Sequence, residues 1–168
     1  MGLQFVTPFI LTRIISMNIF ELQTETVLNN HGNVQLIYIG ESVVATKILK
    51  ESTNKNKLFK NACSPYLTPT GRQKKTEFVY HSPSNNIDIR IECKSRKTLG
   101  LIGEITDELN FITNIPEKQY CLVLSEILLS NYILDRINTI VVEKELQDKI
   151  WVGSLEQFKS FLKEHIKL

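Results

Sequence analysis

The chain has 168 residues, 42% of them hydrophobic and 23% charged, with a formal net charge of +2. That length suits one domain, is too apolar for a disordered chain, and suffices for a core without disulfide or metal staples. The near-neutral balance does not announce a nucleic-acid partner. Three widely separated cysteines, Cys63, Cys93 and Cys121, argue against a disulfide framework and a zinc site, so buried thiols in a reducing, cytoplasmic setting are expected.

Residues 1–16 are apolar but lack the basic leader and small-residue cleavage site of a signal peptide; Pro8 and Arg13 interrupt them, and they are too short to span a bilayer. They are expected to pack as an appendage on a single domain formed by residues 17–168, with no membrane partner. Residues 18–30 read as a helix with Ile19, Phe20, Leu22, Val27 and Leu28 as apolar anchors, Asn18 as N-cap and Glu21 placed to reach back to it. Val34–Ile39 is a short β-rich run, while residues 43–52 fit a strand or a helical turn equally well. Glu51–Lys60 is polar and lysine-rich and reads as a loop, as does Pro65–Gly71. Thr76–Ser82 and Ile87–Lys94 read as two strands joined through the turn cluster Pro83-Ser84-Asn85-Asn86, an antiparallel hairpin. Leu101, Ile105, Leu109 and Ile112 have helical spacing, and Tyr120–Leu124 has the continuous apolar character of a central buried strand. Residues 131–147 read mainly as helix, Ile150–Val152 as a last strand, and Ser154 with Gln157 as a capping box that opens a helix to about Ile166. The order predicts a layered α/β (mixed α+β) domain with a central mixed sheet flanked by helices.

Residues 87–94 carry the clearest pattern. Side chains alternate faces along a strand, so Ile87, Ile89, Ile91 and Cys93 face a core while Asp88, Arg90, Glu92 and Lys94 face the other way. Folding the hairpin about its turn sets Ser82 opposite Ile87 and Glu77 opposite Glu92, which brings Glu77, Glu92 and Lys94 together. Two facing carboxylates repel unless positive charge lies between them, and Mg²⁺ (or Mn²⁺) is held by one or two carboxylates with waters and phosphate oxygens. Glu77, Glu92 and the backbone carbonyl of Cys93 are the expected ligands, with Lys94 orienting or deprotonating an attacking water; Cys93, pointing inward, is no nucleophile. Residues 72–97 hold seven basic residues (Arg72, Lys74, Lys75, Arg90, Lys94, Arg96, Lys97) against three acidic ones, whereas the remainder holds 13 basic and 15 acidic. A phosphate-binding surface would concentrate charge in this way, which makes Arg72, Lys74, Lys75, Arg90, Arg96 and Lys97 the candidate nucleic-acid contacts.

Glu77, then fourteen residues, then Glu92-Cys93-Lys94 resembles the PD-(D/E)XK nuclease superfamily, which has the restriction-endonuclease-like fold. Pro65-Tyr66, Gly71-Arg72, Thr76-Glu77-Phe78, Arg90-Ile91 and Gly100 followed by Glu104 extend the similarity over residues 64–113. Thr76-Glu77 stands where that family has Pro-Asp. The resemblance implies an αβββαβ core and a Mg²⁺-dependent DNA endonuclease, with a homodimer as one way to cut two strands. It also implies an acidic metal ligand from the first helix; with Glu21 occupied in capping, Glu25 is the expected one. Two other readings stand beside this one: a nuclease-fold module that binds DNA without cutting it, and a structural or interaction protein of a phage or mobile element.

Overall fold

The computed structural model describes residues 18–31, 35–38, 56–85, 87–115 and 119–166. The expectations for residues 1–16, and the undecided stretch 43–52, lie outside them. The elements are α1 (Ile19–Asn30), β1 (Gln35–Tyr38), β2 (Lys57–Leu67), β3 (Gln73–Ser82), β4 (Ile87–Lys94), α2 (Leu101–Thr113), β5 (Gln119–Leu124), α3 (Asn131–Glu143), β6 (Ile150–Ser154) and α4 (Leu155–His165). The six strands form one mixed sheet in sequence order. β2, β3 and β4 make an antiparallel meander, and β1–β2, β4–β5 and β5–β6 are parallel, so β3 alone runs against the others. α2 and α3 are the crossovers that parallel neighbours require. The order is the anticipated αβββαβ, with β1 added at one edge and α3, β6 and α4 at the other.

The sheet is covered on both faces. Leu58, Phe78, Tyr80, Ile89, Ile91, Cys93, Cys121 and Val123 pack on one face against Leu28 of α1 and Phe158, Phe161 and Leu162 of α4. Tyr120, Leu122 and Leu124 pack on the other against α2 and α3. β5 contributes to both cores in alternation, which is why its sequence is almost wholly apolar. β4 does not: Ile89, Ile91 and Cys93 enter the first core, while Arg90 and Glu92, at 3% and 5% exposure, are buried polar groups. Ser154 accepts from the Gln157 N–H and Gln157 Oε1 from the Ser154 N–H, the expected capping box.

One stretch departs from the sequence expectation. Lys57–Lys60 belongs to β2 rather than to a loop, and β2 continues through Leu67. Leu58 and Phe59 are buried, and so are Lys57 and Lys60. The Lys60 ammonium lies 2.6 Å from Glu25 Oε2 and so is satisfied inside the fold. Among the described residues, no helix is long and apolar enough to cross a membrane.

Candidate active site

Three elements converge at the carboxyl end of β4. The register pairs Ser82 with Ile87 and runs to Phe78 opposite Ile91. The assigned pairing ends there, so Glu77 and Glu92 sit at the next step, where β3 and β4 part. Glu77 still completes the edge with its side chain: the Cys93 N–H donates to Glu77 Oε2 at 3.2 Å. Lys94 Nζ donates to Glu92 Oε1 at 3.1 Å. The other oxygen, Glu92 Oε2, is buried and has no hydrogen-bond partner. The end of β4 is held from both sides. Ser125, just past β5, donates its N–H to the Lys94 carbonyl at 2.9 Å and its hydroxyl to the Ser95 carbonyl at 3.1 Å. Asn18, the N-cap of α1, donates to the Ser95 hydroxyl.

The electrostatics follow from two acids in a dry place. Burial pushes the Glu77 carboxyl up to about 10, and the adjoining Glu92 adds to the rise, against the opposing pull of Lys94 and the Cys93 N–H. Burial works against the charge on Lys94, but Glu92, with Glu108 and Glu77, outweighs it and raises the ammonium above its usual value. Lys94 is therefore a fixed cation rather than a free base. Burial, then Glu77, raise the Cys93 thiol well above the usual range, in keeping with its place in the core.

Around this centre the helix acids separate. Glu25 is turned to Lys60 in a buried ion pair and is committed there. Glu21 is the α1 carboxylate whose charge feels Glu92 and Lys94: burial raises it, Lys60 opposes, and Glu92 adds to the rise. The N-cap explains the exchange, because Asn18 caps through the Phe20 N–H at 3.0 Å. Glu108 of α2 was not anticipated. It is 2% exposed, accepts from both Lys74 and the Tyr120 hydroxyl, and is raised by burial and by Glu92. Its sequence signal is an acid on the apolar face of α2, between Ile105 and Ile112.

The candidate nucleic-acid contacts divide. Arg72, Lys75, Arg96 and Lys97 are exposed. Lys74 is half-buried in its ion pair with Glu108. Arg90 is corrected: at 3% exposure it donates to Thr76 Oγ1 within the sheet, so it braces β3 against β4 instead of facing a phosphate. His81 pairs across the strands with Asp88 at 2.5 Å.

Among the described residues, no three or more His, Cys, Asp or Glu side chains are grouped to hold a metal ion. Glu77 and Glu92 are the two carboxylates at the end of β4, and two is a number Mg²⁺ accepts when waters and substrate oxygens complete its shell. The buried, unpartnered Glu92 Oε2 fits that role, since an ionised oxygen there needs either a proton or a cation. No family model matches the chain, and neither a curated protein nor a solved structure matches it.

Proposed function

We propose that the chain is a metal-dependent phosphodiesterase that hydrolyses DNA, with Mg²⁺ or Mn²⁺ held by Glu77, Glu92 and the backbone carbonyl of Cys93. One observation carries the reading: a half-buried and a buried carboxylate, Glu77 and Glu92, at the parting of β3 and β4, one Glu92 oxygen without a donor, and an ammonium 3.1 Å from its sister oxygen. Ordinary surface pairs do not leave a buried carboxylate oxygen unsatisfied. The spacing of Glu77, Glu92 and Lys94, similar to that of the PD-(D/E)XK superfamily, and the αβββαβ order support the same conclusion.

When bound, the cation supplies a polarised phosphoryl oxygen and an acidified water. The chain's own groups do the rest. Glu77 releases its proton, and Glu77 and Glu92 present two oxygens. The Lys94 ammonium, held by Glu92, faces the charge that builds on the phosphoryl oxygens as water adds to phosphorus and the ester P–O bond breaks. The attacking water releases a proton to solvent and the leaving oxygen takes one from it, giving a phosphate monoester and a hydroxyl. The Ser125 and Asn18 contacts keep the end of β4 in place during the reaction. Two free, buried thiols, Cys93 and Cys121, suit a reducing cytoplasm, and a homodimer would bring two sites to two strands.

The test is DNA cleavage with and without divalent metal. Glu92→Gln and Lys94→Ala should each lower the rate by at least about 100-fold while circular dichroism and melting show an intact fold. Full activity in Glu92→Gln would falsify the assignment. The competing reading, a module that binds DNA without cutting, draws on the small donor set; it predicts salt-sensitive DNA affinity and intact substrate in either metal.

A further inference from the structure

The chain leaves Lys94 through the segment 95–100, which runs into α2. Gly100 takes a left-handed φ of +94°, a conformation that suits glycine, and the turn it closes puts Leu99 entirely in solvent. Across from it, Tyr132 in the first turn of α3 is 68% exposed, while its neighbour Ile133 and the later Ile137 face the core. Lys97, Leu99, Tyr132 and Ile133 line one open, mainly apolar groove of about 510 Å³ between the starts of α2 and α3. Two exposed cations, Arg96 and Lys97, stand on the segment that joins the groove to Lys94.

A leucine and a tyrosine displayed on the same groove offer an apolar surface for a ligand to cover. The occupant must be anionic enough to suit Arg96 and Lys97 and must carry flat apolar faces for Tyr132 and Leu99. It must also extend from the site at Lys94, because five residues of chain reach at most about 18 Å. An unpaired stretch of nucleic acid meets all three conditions: phosphates for the cations and bases for the ring. Continuous duplex does not, since its base faces are stacked on one another. Resting on the nuclease reading above, we infer that this groove seats one or more unstacked bases beside the scissile phosphate, and that the substrate class is DNA with a frayed end, overhang or flap.

The experiment uses the full chain in EDTA, so that binding is read without cleavage. The probes are a short duplex and the same duplex with a single-stranded arm containing 2-aminopurine. Wild type should prefer the armed probe on the order of tenfold, with quenched 2-aminopurine fluorescence. Tyr132→Ala should abolish both the preference and the quenching, and Tyr132→Phe should retain them. Val142→Ala, an exposed apolar position farther along α3, should behave as wild type. Equal affinity of wild type for the two probes, or an unchanged preference in Tyr132→Ala, overturns the proposal. So does sedimentation showing a dimer that Tyr132→Ala dissociates, which would give the groove to a second copy. In a parallel assay with Mg²⁺ in place of EDTA, cleavage of both probes at one rate, with no binding preference, removes this inference and leaves the nuclease reading standing. Lack of cleavage in Mg²⁺ with the binding preference intact removes the nuclease reading, and this inference keeps only the seat for unstacked bases.

Discussion

At the scale of single residues, the site is a conflict between two acids that only a positive species resolves. Lys94 supplies that charge to Glu92, while burial, with Glu92 beside it, holds the Glu77 carboxyl up to about 10. The consequence for stability has a definite sign. Below the ordinary carboxyl value both folded and unfolded chains carry the proton. Above it the unfolded chain releases the proton while the folded chain keeps it, so stability falls as pH rises until the folded value is passed. The metal-free protein should therefore melt at lower temperature at about pH 8 than at about pH 5, and Glu77→Gln should flatten that slope. The variant should also melt roughly 2–8 °C higher than wild type at the upper pH. Mg²⁺ should raise the melting temperature of wild type and leave that of Glu77→Gln unmoved. Parallel melting curves for the two proteins across this range would show that Glu77 holds no proton above its ordinary value.

At the scale of elements, much was legible because the physical signal was local. The alternation over Ile87–Lys94, the turn at Pro83–Asn85 and the register of Ser82 against Ile87 follow from side-chain period and turn chemistry, and these carry Glu77 and Glu92 to the step just past the last assigned pair, Phe78 and Ile91. β2 was illegible because its lysines carry the wrong message: Lys57 and Lys60 read as solvent-facing, yet both are buried. What makes Lys60 tolerable is Glu25, thirty-five positions away, and no sequence window spans that distance. The same partnership turns Glu25 Oε2 toward Lys60, whereas Glu21 is the α1 acid that feels Glu92 and Lys94. Glu108 was missed for the converse reason, as its partners Lys74 and Tyr120 come from two other strands. Removing one member of a buried pair strands the other. Glu25→Ala should cost about 3–5 kcal/mol in urea unfolding, whereas Glu25→Leu combined with Lys60→Met should recover most of that loss. If the double variant is as unstable as the single one, the pair is not what fastens α1 to β2.

At the scale of the whole molecule, a net charge of +2 conceals an uneven distribution, and the fold then thins the basic cluster further. Of the six candidate contacts, Arg90 is consumed within the sheet and Lys74 is drawn to Glu108. Arg72, Lys75, Arg96 and Lys97 remain on the surface, two near the β2–β3 connection and two beyond Lys94. A polyanion lying across the site would meet one pair before it and one pair after it. Each phosphate neutralised on duplex DNA contributes about −0.9 to the slope of log K against log salt, so four contacts predict about −3 to −4. Changing Arg96 and Lys97 together to Ala should bring the slope nearer −2, by about one unit for each contact removed. Arg90→Lys should leave the slope alone and lower stability instead, because its guanidinium hydrogen-bonds Thr76 rather than solvent or phosphate. A slope near −6, or one that shifts with Arg90→Lys, would mean that the buried arginine emerges to meet the DNA and that β3 and β4 open when it binds.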